Sequence, residues 1–312
     1  MQNGKYAGVD IGGTAIKLGI FSEEGLCEKK WQIATDSRES GRYIPAQIAD
    51  ELKGLAEQGW LLGVGLGVPS PINQAGDIVF ATNIGFHHLD MKGMLEDLLK
   101  VPVAIANDAN VAALGEVWQG GAKGYKNAVM FTLGTGVGGG VIFDGRIVNG
   151  ANGGAGEIGH IPVEDREEEV CNCQKKGCLE QYASATGIVR VARKILNKSS
   201  KESILRAKET LTAKDVFDAV KAGDELAVET AEVFGYYMGK AAACVAGVID
   251  PEIFIIGGGV SAAGPVLIPY IRKNYEKLAF VPSKQTEFAL AELGNDAGIY
   301  GAARLIMQKE GE

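Results

Sequence analysis

Ala128-Val-Met-Phe-Thr-Leu-Gly134-Thr-Gly-Val-Gly-Gly-Gly140-Val-Ile-Phe-Asp144-Gly-Arg-Ile-Val148 reads as an apolar strand, a glycine-rich turn with a hydroxyl, a second strand, an Asp-Gly hairpin signal and a third strand. The chain opens on the same plan. Residues 6–11 are apolar, Gly12-Gly13-Thr14 follows, residues 15–21 alternate, residues 23–25 turn, and another strand-like stretch reaches residue 33. We read the two stretches as a weak internal duplication of a three-stranded antiparallel unit. The linear order of everything between and after them follows from that reading.

After the first unit, Ile44, Ile48, Leu52 and Leu55 recur at helical spacing. A buried strand is predicted over 61–68, ended by Pro69 and Pro71, then a helix around Met94 to Leu99, a strand over 101–105 and a helix over 109–118. Strand and helix alternate, which points to an α/β domain. After the second unit, Thr212 with Asp215 resembles a capping box, a long helix is predicted from about 225 to 249, and a strand over 252–256 ends in Gly257-Gly258-Gly259. A last helix starts near Asp296. The acidic stretch 164–169 reads as a solvated loop, and Cys27 and Cys244, in apolar surroundings, as core.

At 312 residues the chain has room for two domains. We expect a smaller one over 1–118, joined by the C-terminal helix of about 298–312, and a larger one over 119–297. The net charge is −8, which argues against nucleic-acid binding and against a polybasic membrane surface. The longest apolar runs, such as 241–249, fall short of the ~20 residues a spanning helix needs, and the polar start gives no signal-peptide pattern. The cytoplasm is the expected compartment. Glycine is the outlier at 44 copies. The glycines cluster in apolar runs, which reads as backbone-lined ligand loops.

Gly134-Thr-Gly136-Val-Gly138-Gly139 formally matches GxGxxG, but the dinucleotide reading needs a helix to open there. β-formers and an Asp-Gly follow instead, so the loop joins two antiparallel strands. Two glycine hairpins, each with a Thr (Thr14, Thr135), bring backbone N–H groups and a hydroxyl close to phosphate oxygens. The alternative for any one loop is a plain tight turn. Gly257 to Gly259 lies between a strand and a helix, where a base or ribose fits. Asp10, beside Gly12-Gly13, is either a turn residue or a carboxylate that holds Mg²⁺ through water.

Asn107-Asp108 lies at a strand's carboxyl end before a helix, where α/β sheets place ligands. One reading is a helix N-cap. The other is a general base that takes a hydroxyl proton during phosphoryl transfer. His160, Cys171, Cys173 and Cys178 fall within 19 residues and form a Cys₃His set suited to tetrahedral zinc. Glu157 and Glu180 flank it, acidic acceptors for sugar hydroxyls.

Taken together, Asp10-Ile-Gly-Gly-Thr14, Gly67-Val-Pro-Ser-Pro71, Glu157-Ile-Gly-His160 and Cys171-Asn-Cys-Gln-Lys-Lys-Gly-Cys178-Leu-Glu180 resemble the ROK family of repressors, open reading frames and sugar kinases, within the actin-like ATPase superfamily. Leu133-Gly-Thr-Gly-Val-Gly-Gly-Gly140 and Ala291-Glu-Leu-Gly-Asn-Asp-Ala-Gly298 bring the chain close to the family's bacterial glucokinases. The resemblance implies an actin-like (ribonuclease H-like) two-domain α/β fold, with duplicated mixed-sheet cores and a cleft between them. It implies ATP- and Mg²⁺-dependent phosphorylation of the 6-hydroxyl of glucose by a homodimer.

By position, Asp108 matches the catalytic base. Asn83, Asn107, Glu157, His160 and Glu180 match sugar contacts, and His160, Cys171, Cys173 and Cys178 a structural Zn²⁺ site. Asp10, Gly12, Gly13, Thr14 and Lys17, with Gly134, Thr135, Gly136 and Gly138, match phosphate-binding segments, and Gly257, Gly258 and Gly259 the adenosine region. The larger domain would carry the zinc loop and the dimerisation helices. Gln174 and Ser70 stand where the family usually has glycine. The Gln174 departure bears on the zinc loop's backbone, because glycine often fills left-handed positions. Kinases for fructose, mannose, N-acetylmannosamine or N-acetylglucosamine, a polyphosphate-dependent enzyme, and a sugar-sensing repressor are the competing readings. Nine residues before Asp10 and the acidic balance speak against the repressor.

Overall fold

The first strand, β1 (Lys5–Ile11), sits in the middle of a five-stranded sheet because the strand that follows it folds back on one side and a later strand pairs parallel on the other. The computed structural model describes residues 4–70, 72, 78 and 90–310. They divide into two units, one of Met1–Lys126, Gly140–Gly156 and Glu292–Glu312, the other of Asn127–Gly139 and Glu157–Ala291.

In the first unit, β2 (Ala15–Ser22) and β3 (Cys27–Ala34) fold back antiparallel on β1, as the alternation and the turn predict. After the single turn α1 (Arg38–Gly41) and α2 (Ile44–Glu57), β4 (Leu61–Val68) pairs parallel with β1 on its other side. The helix α3 (Met91–Leu99) leads to β5 (Val103–Asn107), parallel to β4, and α4 (Asp108–Gln119) follows directly. The order is β3-β2-β1-β4-β5. One sheet face buries Val9, Leu18 and Leu66 with Ile44, Ile48 and Leu52 of α2 and Met91 and Leu95 of α3. The other face carries glycine. A β-carbon at Gly8 would lie 1.9 Å from the Ile299 carbonyl oxygen, and one at Gly65 1.7 Å from that of Ala302. The last helix, α10 (Ala297–Glu310), therefore lies directly on the strand backbones. These glycines serve helix-on-sheet packing rather than the ligand loops expected from their clustering.

The second sheet uses β6 (Ala128–Leu133), β7 (Val137–Phe143), β8 (Arg146–Ile147), β9 (Ile253–Gly257) and β10 (Glu287–Leu290) in the order β10-β9-β6-β7-β8. Read from β8, this repeats the first sheet: three strands in hairpin succession, then two added parallel to the first of them. The duplication read from the sequence is thus a duplication of sheet topology, the architecture of the actin-like fold. β8 and β7 from Gly140 onward belong to the first unit, while α5 (Glu180–Ala183), α6 (Ala185–Lys198), α7 (Ala213–Lys221), α8 (Glu225–Ile249) and α9 (Leu267–Leu278) belong to the second. The Thr212–Asp215 capping box opens α7 as predicted.

Several expectations are corrected. β5 runs to Asn107, so Asp108 abuts the strand with no loop residue between. β10 carried no sequence signal of its own, being four residues long. Cys244 is exposed on α8 and Cys27 is half-buried, so neither is core. The stretch 164–169 is not merely solvated, because Glu167 Oε2 accepts from Tyr182 Oη and Arg190 Nη2 at 2.6 and 2.7 Å. Among the described residues, no helix is long and apolar enough to cross a membrane.

Candidate active site

Asp10 and Asp108 come together at one edge of the first sheet. Asp10 pairs with Gly67, and Gly67 with Ala106, across β1, β4 and β5, all parallel and all ending at this edge. Gly67 is flanked by both acids: a β-carbon built on it would lie 3.8 Å from Asp10 Oδ1 and 3.8 Å from Asp108 Cα. Strand carboxyl ends are where open α/β sheets bind ligands.

Asn107 is the N-cap of α4, its Oδ1 accepting from the amides of Ala109 and Asn110 at 2.9 and 3.3 Å. Its Nδ2 donates to the Ser70 carbonyl at 3.3 Å, which ties the end of β5 to the turn after β4. The capping role considered for Asp108 therefore belongs to its neighbour, and Asp108 occupies the first helical position. Its Oδ1 accepts from the Ala109 amide at 2.8 Å, and its carboxylate stands in the favourable field of the helix N-terminus.

Burial raises the pKa of Asp10, against the pull of Lys17, whose Nζ is 3.7 Å from Oδ2. The Lys17 ammonium also donates to the Asn295 carbonyl at 2.8 Å. Gly12 closes its own turn by donating to the Ala15 carbonyl at 3.0 Å, and Gly13 and Thr14 are exposed beyond it. Asn83 lies outside the described residues.

In the second unit the glycine hairpin and the cysteine loop share one carboxylate. Gly134 donates to Gly136 at 3.0 Å to close the turn, Thr135 is exposed, and Gly138 lies within β7. Glu180 Oε2 accepts from the Val137 amide at 3.0 Å, and a β-carbon at Gly136 would lie 2.3 Å from it. Its other oxygen receives the Cys171 thiol at 3.6 Å. Gly258, at a left-handed φ of +78°, backs onto Leu133, where a β-carbon would lie 2.6 Å from the Leu133 amide nitrogen. The third glycine run thus supports the base of the hairpin, with Gly257 ending β9 and Gly259 opening a 3₁₀ turn.

Glu157 is exposed and its carbonyl accepts from the His160 amide at 3.1 Å. The ligand atoms of His160, Cys171, Cys173 and Cys178 all lie within 4.8 Å of one another. Cys173 and Cys178 sulfurs are 3.5 Å apart, and Cys171 Sγ is 3.9 Å from His160 Nδ1. A tetrahedral zinc with Zn–S bonds of about 2.3 Å needs sulfurs about 3.8 Å apart, so the donor set fits. Burial and the neighbouring thiols push Cys178 up to about 12, and burial raises Cys171. Gln174 holds φ at +66°, so the loop keeps its left-handed residue without glycine.

A cavity of about 540 Å³ lies beside the hairpin, lined by Thr135, Thr186, Arg190, Arg193, Lys194, Asn197 and Leu211 among others. That volume suits a nucleoside. Sequence reading missed these α6 residues. Their signal is a cationic run, Arg190 to Lys194, on a helix that starts beside the hairpin, where Thr186 Oγ1 donates to the Thr135 carbonyl at 2.9 Å.

The family model described as "ROK family" matches residues 6–309. The chain belongs to the ROK family. It is 43% identical over 320 aligned residues, 99% of this chain and 97% of the relative, to the glucokinase of Halalkalibacterium halodurans. It is 35% identical, with 98% of each chain covered, to that of Thermotoga maritima. Among solved structures, the ROK family glucokinase of Streptomyces griseus in complex with glucose and AMPPNP superposes with a TM-score of 0.75 at 33% identity, covering 97% of this chain and 99% of that one. These ROK relatives match the chain across both units.

Proposed function

We propose that this chain is a glucokinase that transfers the γ-phosphoryl group of ATP to the 6-hydroxyl of glucose. The observation that carries the reading is the shared strand edge, which puts Asp108 at the head of α4 and Asp10 on the far side of Gly67. The near-complete match to relatives named glucokinase supports the choice of sugar and of nucleotide.

Asp108 takes the proton of the 6-hydroxyl while that oxygen forms its bond to the γ-phosphorus and the bond from phosphorus to the bridging β–γ oxygen breaks, releasing ADP. The Ala109 amide at the helix N-terminus orients the Asp108 carboxyl, and Asn107 holds the strand end that carries it. Asn107, Glu157, His160 and Glu180 bind the sugar hydroxyls, with Asn83 as a further contact. Lys17, Gly12, Gly13 and Thr14, with Gly134, Thr135, Gly136 and Gly138, hold the phosphates. Gly257 to Gly259 and the α6 cavity hold the nucleoside. Asp10 would hold Mg²⁺, which when bound would neutralise phosphate charge. His160, Cys171, Cys173 and Cys178 would hold a structural Zn²⁺, and so fix the orientation of His160 and, through the Cys171–Glu180 contact, of Glu180. Family membership supports a homodimer acting in the cytoplasm.

The test is ADP release with ATP against glucose, fructose, mannose, N-acetylmannosamine and N-acetylglucosamine, with polyphosphate as an alternative donor. Glucose with ATP should give the highest kcat/KM. A higher value for any other pair reassigns the substrate, and none for any sugar removes the kinase reading.

A further inference from the structure

Glu116 is completely buried in α4, yet no role has been given to it. Its recorded partners are three backbone amides. Oε1 accepts from Leu293 at 2.9 Å, and Oε2 from Gly121 at 2.8 Å and Glu292 at 3.0 Å. A buried carboxyl group is costly unless its oxygens are met in this way.

What it holds matters more than how. Glu292 is the residue at which the chain returns to the first unit. From there, Asp296 donates to the Leu293 carbonyl at 3.0 Å to close a turn, and Asn295 offers its carbonyl to Lys17 at 2.8 Å. Gly298 then meets Asp10, where a β-carbon would lie 2.6 Å from Asp10 Cγ. Glu116 thus holds one end of a segment whose other end sets Lys17 and Asp10. It does so from the helix that Asp108 begins, eight residues on, about 12 Å along the axis.

We propose that Glu116 is a positioning residue for phosphoryl transfer: it clamps residues 292–298 to the helix of the base, and so keeps Asp10 and Lys17 in register with Asp108. The inference rests on the kinase reading above.

The test compares Glu116→Gln and Glu116→Asp with the intact enzyme. The Gln variant keeps the shape but replaces one acceptor with a donor aimed at N–H groups. The expected result is a KM for MgATP raised roughly tenfold and a kcat lowered by at least as much, with the calorimetric Kd for glucose unchanged. The Asp variant, which keeps the charge on a shorter stem, should recover part of both. A folded Gln variant with wild-type KM for MgATP and wild-type kcat overturns the proposal, even if its melting temperature falls. Should the Gln variant fail to fold, the Asp variant must show the same split, and wild-type values there overturn the proposal. A wild-type protein without glucose-dependent ADP release defeats the kinase reading separately. Glu116 is then judged by calorimetric binding of MgATP alone, with roughly tenfold weakening expected in the Gln variant and equal affinity overturning it.

Discussion

Gly298 leaves empty the space that Asp10 fills: a β-carbon on the helix residue would stand 2.6 Å from the carboxylate carbon and 2.7 Å from Oδ2. The start of α10 therefore fixes the height of the Asp10 carboxylate above the strand edge. Burial of that carboxylate raises its pKa against the pull of Lys17.

Replacing Asp10 with Asn should stabilise the protein while removing its activity. A carboxyl whose folded pKa exceeds its unfolded value contributes most stability when protonated, and that contribution is lost as pH rises from the ordinary carboxylate range to the raised value. At pH 7 the buried charge is a net cost. Thermal melts should show a higher Tm for the Asn variant at pH 7 and no gain at pH 3, and turnover should fall roughly a hundredfold or more with the loss of the proposed Mg²⁺ ligand.

Glu167 has the opposite sign. Burial works upward on its carboxyl, but the hydrogen bonds from Arg190 and Tyr182 outweigh it and hold Glu167 at about 2. The stability this gives is fully present above about pH 4.5 and is lost as pH falls toward 2, on the order of 3 kcal/mol in all. Glu167→Gln should lose most of it at pH 7 and flatten the acid limb of a denaturation series. An unchanged acid limb would assign the acid sensitivity elsewhere.

Asp108→Asn removes the proposed proton acceptor but keeps the α4 start and the Asn107 cap. The expected outcome is a kcat lower by roughly a hundred- to ten-thousandfold, with the glucose Kd from calorimetry within about threefold of wild type. Near-normal turnover would take the base role from this residue.

Metal analysis of freshly purified protein should find about one zinc per chain, and almost none in Cys178→Ser. Because His160 and Glu180 both touch the cysteine cluster, the same variant should raise the KM for glucose roughly tenfold. Zinc-free protein with wild-type KM would reduce the cluster to a loop staple.

Arg193 lines the α6 cavity beside Thr135. Arg193→Ala should raise the KM for ATP roughly tenfold and leave that for glucose unchanged, since a hydrogen bond to a charged group is worth about 1.5–3 kcal/mol. A change confined to the glucose KM would move the nucleoside out of this cavity.

Much of this was legible in one dimension because its signals are local. The period-2 runs around Gly12-Gly13 and Gly134 to Gly140, the Asp-Gly turn and the capping box at Thr212 each depend on neighbours a few residues away. The cysteine spacing likewise kept the four donors that could hold a metal close enough to recognise. Chemistry that joins distant segments had no such signal. The Asn107 cap displaced Asp108 from the capping role only because the parallel register carries β5 to Asn107. Glu167 looked like one more acidic loop residue until Arg190 and Tyr182, far along the chain, were placed against it. Glu116 and Gly298 are ordinary helix residues by pattern, and only the close crossing of α4 and α10 over a glycine-faced sheet gives them work. Sequence alone determined the kinds of element, their order and the donor chemistry, since these follow from propensity, periodicity and residue type. The tertiary structure decided which carboxylates are buried, which are paired and what each one holds, because those depend on contacts between residues that the chain itself keeps far apart.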